Sequence, residues 1–350
     1  MRIAPGNLPI PQTEYEAKAI AFCRQWLSGQ SMFTLHTSGS TGTPKPINLS
    51  RRQMRASAVL TGHTFGLAPG DHTLVCLNVD YIAGVMMLVR GLELGLVMTV
   101  VEPSSNPLRT LNPETEPFDF AAFVPLQMHT MLDHPGHSLP ILNRMKAILV
   151  GGAAVDRTLA ERLQTVSAPV FSTYGMTETV SHIAIRRING PGRTEVFQAL
   201  KGVEIGVDAR NCLFITAAAS DFATIQTNDV VDLIDSFHFR LLGRADSIIN
   251  SGGVKIQPER VEDVIAELLA KESISARFFV AGVPDERLGQ QVVLFLEGTE
   301  WPESCLDAIE KVVKHAIGPY AVPRKTVRVP FFFETPTGKI DRKAIVSAHP

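Results

Sequence analysis

The run Thr37-Ser38-Gly39-Ser40-Thr41-Gly42-Thr43-Pro44-Lys45 holds the densest chemistry in the chain. Glycines let backbone N–H groups come close to phosphate oxygens, and hydroxyls add donors. Lys45 can balance negative charge there. The residue order is not that of a Walker A loop, which needs G-x-x-x-x-G-K-[ST]. Composition alone also fits an ordinary Ser/Gly/Thr loop, so the flanking elements and the remaining motifs decide its meaning.

Such a loop works only if its ends are fixed. Residues 32–36 read as a strand running into it, and a helix is expected from near Ser50. Ser50 and Gln53 have capping-box spacing, with Leu49 at the staple position. Upstream, Tyr15, Ala19, Phe22 and Trp26 recur at helical spacing over 14–29. Strand-like runs at 74–78, 97–101, 121–124, 147–150 and 169–173 alternate with helical segments at 81–93, 125–133 and 156–166. That alternation is the pattern of a largely parallel α/β sheet. From 194 onward short β-like runs at 195–200, 203–207, 212–216, 230–234 and 237–242 predict a small β-rich subdomain.

Residues 243–257 are rich in Gly and Ser, and a helix is expected from Pro258, with Glu259, Glu262 and Asp263 near its positive end. Strands at 277–283, 291–297, 325–329 and 331–334 and a helix at 304–317 complete a domain-sized α+β region. The expected fold class is α/β. A large N-terminal domain, residues 1–243, holds the parallel sheet and the β-rich subdomain, and a smaller α+β domain covers 244–350.

Charge and composition exclude several functions. With 33 basic and 35 acidic residues and no block of one sign, nothing points to nucleic acid. Cys23, Cys76, Cys212 and Cys305 are scattered without a CxxC pair, so neither a disulfide framework nor a zinc site is expected. The N-terminus has three prolines and no apolar h-region, unlike a signal peptide. The apolar stretch 74–101 is interrupted by Asp80, Arg90 and Glu93, leaving runs short of the ~20 residues a membrane span needs. A cytoplasmic location is expected.

The 37–45 string resembles the phosphate-binding signature of the adenylate-forming superfamily: acyl-CoA synthetases, peptide-synthetase adenylation domains and luciferases. Further matches follow in that family's order. Gly151-Gly152-Ala153 resembles the turn bordering adenine. Tyr174-Gly175-Met176-Thr177-Glu178-Thr179 resembles the segment whose Tyr stacks on adenine, whose Thr contacts phosphate and whose Glu holds Mg2+. A flat ring, a hydroxyl donor and a hard oxygen ligand suit those tasks. Asp229 matches the aspartate that binds the ribose hydroxyls, although Asn228 stands where glycine is usual; Asn also tolerates left-handed backbone. Gly243-Arg244-Ala245-Asp246 resembles the hinge motif, with Arg244 toward ribose or phosphate and Asp246 as pivot. Gly252-Gly253-Val254-Lys255-Ile256 resembles the thiol-acceptor loop. Pro336-Thr337-Gly338-Lys339 resembles the loop whose lysine bridges the substrate carboxylate and the α-phosphate.

The resemblance therefore implies an AMP-forming acid–thiol ligase with a mobile C-terminal domain. Its catalytic residues would be Lys339, Thr177 and Glu178. Its partners would be ATP, Mg2+, CoA and a small carboxylic acid; neither nucleic acid nor membrane is expected, and a homodimer is the assembly to test. Members usually carry a longer segment before the phosphate loop, so the resemblance also implies a missing N-terminal subdomain. Compact members include the o-succinylbenzoate–CoA ligases of menaquinone synthesis. Two strings resemble that group: Tyr81-Ile82-Ala83-Gly84-Val85-Met86-Met87, and Thr179-Val180-Ser181-His182-Ile183-Ala184. An aromatic keto-diacid needs apolar walls, for which Tyr81, Ala83, Gly84, Met87 and Ile183 are candidates. It also needs a partner for its second carboxylate, from Ser181, His182 or Arg90. Arg90 is expected at a helix end on the surface. The alternatives are another aryl or acyl acid, a carrier-protein acceptor, or a non-catalytic nucleotide-binding regulator.

Overall fold

The computed structural model describes residues 1–36, 46–272, 274, 276–298, 301–335 and 340–349. The loop 37–45 and the segment 336–339, with Lys339, lie outside the described residues. The chain divides into two compact units. The first takes Met1–Gly206, Phe214–Ile225 and Ile234–Phe239; the second takes Val207–Leu213, Gln226–Leu233 and Arg240–Pro350. The sequence placed a cut at 243/244, where Gly and Ser are frequent. The chain passes from one unit to the other more than once between residues 204 and 244.

In chain order the first unit contains β1 (Arg2–Ile3), α1 (Glu14–Leu27), β2 (Met32–His36), β3 (Pro46–Ser50), α2 (Arg51–Phe65), β4 (His72–Val75), α3 (Ile82–Leu94) and β5 (Val97–Val100). There follow β6 (Phe120–Phe123), α4 (Pro125–Leu132), α5 (Pro135–Leu142), β7 (Ala147–Val150), α6 (Arg157–Arg162), β8 (Val170–Gly175), β9 (His182–Arg187) and β10 (Phe197–Ala199). The strand order is β1-β5-β4-β6-β7-β8-β9-β10. Strands β5, β4, β6, β7 and β8 are parallel, while β1, β9 and β10 pair antiparallel at the two flanks.

Helices cover both faces of the parallel strands, which is why those strands read as unbroken apolar runs. Successive side chains point to opposite faces. Leu74, Ala121, Phe123, Ile148 and Val150 pack with Met128, Ile141 and Leu159 from α4, α5 and α6. Val75, Phe120, Ala147 and Leu149 pack with Ala19, Cys23, Met87 and Leu88 from α1 and α3. The order reverses at β4, which lies between β5 and β6. Open parallel sheets bind ligands beyond the carboxyl ends of their strands at such a reversal.

Three local expectations change. The strand–loop–helix reading omitted β3, which pairs antiparallel with β2 from Met32↔Ser50 to His36↔Pro46. Strands β2 and β3, on either side of residues 37–45 in the sequence, are therefore an antiparallel pair. Strand β9 has no counterpart among the expected strands, and Ile183, a candidate pocket wall, lies within it. Residues 331–334 form no strand: Phe331 and Phe333 are exposed around buried Phe332, and Glu334 makes only an isolated bridge to Ile340.

The strands β11 (Glu204–Val207), β12 (Cys212–Thr216), β13 (Ile225–Leu233) and β14 (His238–Arg244) have residues in both units. The second unit continues with β15 (Ile249–Ser251), β16 (Val254–Ile256), α7 (Pro258–Lys271), β17 (Phe278–Asp285), β18 (Gly289–Glu297), α8 (Glu303–Ala316), β19 (Lys325–Val329) and α9 (Arg342–Ala348). One face of β18 sets Val292, Leu294 and Leu296 against Val261, Ile265, Ile309 and Val313 of α7 and α8. Its other face sets Val293 and Phe295 against Phe279 and Ile345. All four cysteines are buried and free. Among the described residues no helix is long and apolar enough to cross a membrane.

The expected cap of α2 is present. The Ser50 Oγ accepts from the Gln53 N–H at 3.2 Å, and Gln53 Oε1 accepts from the Ser50 N–H at 2.8 Å. Ser50→Ala should cost about 1 kcal/mol, read as a lower urea midpoint. An unchanged midpoint would show that β3, rather than the cap, fixes the start of α2.

Candidate active site

The sequence-derived residues of the first unit gather where parallel strands end. Gly151-Gly152-Ala153 follows β7, and Tyr174-Gly175 closes β8. The Tyr174 ring meets Phe239 edge-on at 5.2 Å and lies 5.9 Å from Phe197, so its plane is set by neighbouring rings. The β8–β9 register shifts between Tyr174 and Gly175. A Cβ on Gly175 would stand 2.2 Å from the Ser181 carbonyl oxygen, so only glycine lets the two strands approach there.

A short 3₁₀ turn, Thr177–Thr179, follows β8. Thr177 is buried, whereas Glu178 is exposed and its carboxylate has no hydrogen bond or ion pair among the described residues. A single free carboxylate fits a Mg2+ site in which phosphates supply the remaining oxygens. Val180 comes next at φ 65, ψ −51, fully buried. The Ser181 N–H donates to the Thr179 carbonyl at 2.7 Å, closing a γ-turn of positive φ. That turn is rare and strained for any side chain, and more so for a β-branched one. Strain of this kind costs of order 1–3 kcal/mol and persists only where surrounding packing enforces it.

The turn delivers Ser181 and His182 to α3. Arg90 Nη2 donates to the Ser181 Oγ at 2.5 Å, Arg90 Nε donates to the Thr61 Oγ1 at 3.2 Å, and Nη1 reaches the Met87 sulfur at 3.5 Å. The Ser181 Oγ lies 3.2 Å from His182 Nδ1. Arg90 is only 2% exposed, which corrects its expected surface position. It has no carboxylate partner among the described residues. Burial pushes its pKa down to about 10, leaving it charged at neutral pH. Burial also pushes His182 down to about 3, and the Arg90 charge adds to that shift. The helix Ile82–Leu94 is otherwise nearly all apolar, and a lone cation in such a run was the signal for burial. Thr61 carried no comparable signal.

The other acyl-pocket candidates separate. Tyr81 is half-buried at the N-cap of α3, Ala83 is exposed, and Met87 and Ile183 are buried. A Cβ on Gly84 would stand 2.4 Å from the Asn78 carbonyl oxygen, so that glycine serves close backbone packing.

In the second unit Arg244 links two of the candidates. It pairs with Asp246 through Nε and Nη2, both at 2.8 Å, and with Asp229 at 3.0 Å through Nη1. Asp229 is buried, and its N–H donates to the Thr227 Oγ1 at 3.0 Å. Asn228 lies inside the strand Ile225–Leu233 and is absent from the positive-φ residues. The left-handed rationale for Asn228 is therefore corrected: extended backbone accepts any residue there. Gly252 and Gly253 are exposed at the turn between β15 and β16, and Lys255 is exposed within β16.

Comparison with known families decides the identity. A family profile described as AMP-binding enzyme matches residues 13–208, and one described as AMP-binding enzyme C-terminal domain matches residues 261–339. The chain belongs to the AMP-binding enzyme family. It is an AMP-forming acid–thiol ligase. Among solved structures, an acyl-CoA synthetase (AMP-forming)/AMP-acid ligase II-like protein from Dyadobacter fermentans is 41% identical, with 99% of each chain covered and a TM-score of 0.68. The 2-succinylbenzoate–CoA ligase of Listeria monocytogenes is 24% identical over 97% of this chain and 74% of its own length. The o-succinylbenzoate CoA synthetase of Bacillus subtilis, solved with its acyl-adenylate intermediate, has the same fold at 20% identity and a TM-score of 0.72, with 89% of this chain and 68% of that one covered.

Two outcomes test the ligase's geometry. Gly175→Ala should force β8 and β9 apart and lower ATP-dependent turnover at least tenfold; retained turnover would show that the strands tolerate a wider gap. The Arg244 hydrogen bonds hold the Asp246 carboxyl below the usual carboxylate range. In Arg244→Ala that pKa should rise, as read by carboxyl carbon NMR, and an unmoved value would contradict the pairing.

Proposed function

We propose that the acid is o-succinylbenzoate and that the ligase makes its CoA thioester, the step used in menaquinone synthesis. One observation carries the reading. Arg90 is a buried cation bonded to Ser181 and Thr61, with His182 beside Ser181 and no carboxylate to neutralise it among the described residues. A buried charge without a partner is costly, and an anionic group delivered by a substrate repays that cost. An acid with a second carboxylate, remote from the one being activated, meets the requirement. Relatives from Listeria and from Mycobacterium tuberculosis carry the 2-succinylbenzoate–CoA ligase name, the latter as a probable assignment, and this supports the choice.

In the proposed reaction a substrate carboxylate oxygen attacks the α-phosphorus of ATP. The bond to the β-phosphate bridging oxygen breaks, and pyrophosphate leaves. Lys339 places its ammonium between the two anions, lowering their repulsion in the displacement. The 37–45 loop, with Thr37, Ser38, Gly39, Ser40, Thr41, Gly42 and Lys45, holds the phosphates. Tyr174, Gly151, Gly152, Ala153 and Gly175 border the base, while Asp229 and Arg244 take the ribose side. Glu178 would hold Mg2+, which offsets phosphate charge, and Thr177 would donate to a phosphate oxygen. In the second half-reaction the CoA sulfur attacks the acyl carbon, AMP departs, and the thiol proton passes to solvent. Gly252, Gly253 and Lys255 serve that step, and Asp246 is the hinge. A thiol titrates near pH ~8.5, so a usable thiolate fraction exists without a dedicated base.

Purified ligase should catalyse carboxylate-dependent pyrophosphate exchange and form a CoA thioester with o-succinylbenzoate. Exchange with other acids but not this one would remove the specific choice; silence across a broad acid panel would favour a non-catalytic nucleotide-binding role. Arg90→Gln should raise KM for the diacid by about ten- to a hundredfold, the value of a hydrogen bond to a charged group, with KM for ATP unchanged. Equal rises for diacids and monoacids would contradict the carboxylate role. Lys339→Ala should slow adenylate formation far more than thioester formation from preformed adenylate, and equal losses would contradict its placement.

A further inference from the structure

The buried group at Arg90 also fixes where the protons sit. A guanidinium only donates, so the Ser181 Oγ, 2.5 Å from Arg90 Nη2, accepts. The hydroxyl then has one hydrogen of its own to place. Its remaining neighbour is His182 Nδ1 at 3.2 Å. Donation to Nδ1 gives that hydrogen its partner and makes Nδ1 the acceptor. The imidazole hydrogen must then lie on Nε2. His182 is 7% exposed, and its Nε2 is buried with no hydrogen-bond partner among the described residues. An orphaned buried N–H is rare in folded proteins and points to a missing acceptor.

We infer that His182, held as its Nε2–H tautomer by the Arg90–Ser181 relay, donates a hydrogen bond to the remote carboxylate of the acid and so determines specificity for diacids. The inference rests on the proposed diacid reading and adds a second, uncharged donor to it. The groups facing the ring are Arg90 from α3, Ser181 from its own turn and the Phe65 ring from α2, at 6.2 Å between centroids. Arg90 is the one charged group among them. Burial and that charge keep the imidazole neutral far below its ordinary titration range. The hydrogen bond should therefore not titrate between about pH 6 and 8, where an ordinary histidine changes charge.

The test uses full-length ligase in the exchange assay with o-succinylbenzoate and with 4-oxo-4-phenylbutanoate, which keeps the succinyl carboxylate and lacks the aromatic one. His182→Leu should raise KM for the diacid by about ten- to a hundredfold, leaving KM for ATP and for the monoacid unchanged. His182→Gln, which restores an N–H donor, should recover part of the loss. Wild-type KM for the diacid should stay flat from about pH 6 to 8. His182→Leu that behaves as wild type toward the diacid, or that loses both acids and ATP equally, overturns the inference, as does a break in KM near the ordinary histidine pKa. Wild-type ligase that turns over no diacid sinks the functional reading, and the inference with it. Diacid turnover unaffected by His182→Leu sinks the inference alone.

Discussion

Keeping the Arg90 guanidinium charged inside the first unit is the constraint on which the candidate site depends. Removing a cation from water is costly, and among the described residues its acceptors are all neutral: the Thr61 and Ser181 hydroxyls and the Met87 sulfur. These come from α2, from the turn after β8 and from α3 itself. None of the three elements can shift without exposing or stranding the charge. The strained γ-turn at Val180 follows from the same demand. It turns the chain sharply enough to bring the Ser181 hydroxyl to α3, while Val180 itself is anchored among Trp26, Phe33, Met54 and Val89. Apolar packing on one side of the turn and a charged hydrogen bond on the other hold a conformation that neither would hold alone.

The parallel sheet supplies the frame. Strands β4, β6, β7 and β8 end along one edge, and the segments carrying the chemistry begin there: the approach to α3, the Gly151–Gly152 turn and the Tyr174–Thr179 segment. Helices on both faces make that edge stiff, because apolar strand residues are packed on both sides of the sheet. Antiparallel β9 then returns the chain beside β8 and places His182 at its first position. The ring of Tyr174 is braced by Phe197 and Phe239, a rigid support for a ligand that binds by stacking. In the second unit Arg244 gathers Asp229 and Asp246 around one guanidinium, tying the proposed ribose-binding carboxylate to the proposed pivot.

Much of this was legible in the sequence. Apolar runs of strand length alternating with helical periodicity report a parallel sheet covered on both faces, since burial on two sides removes polar alternation. The capping box at Ser50 and Gln53 was readable because the cap is made by side chains three residues apart. The ordered motifs pointed to the AMP-binding enzyme family because their residue types, glycines, hydroxyls, a carboxylate and a lysine, are the types that can answer to phosphates. Less readable were β3 and β9, whose identity depends on a hydrogen-bonded neighbour, and α5, which carries Pro140 within it.

Local chemistry, then, is what the residues determine by themselves: which segments are apolar on one face or two, where a helix is capped, and which side chains can meet an anion. Tertiary structure alone decided that Arg90 is interior rather than at a surface helix end, that Ser181 accepts its hydrogen bond, and that His182 turns inward a ring nitrogen with no partner among the described residues. Arg90 and Ser181 are far apart along the chain, and pairings between distant residues are set by how helices pack on a sheet. The energy of a buried charge depends on that packing, which sequence spacing does not encode.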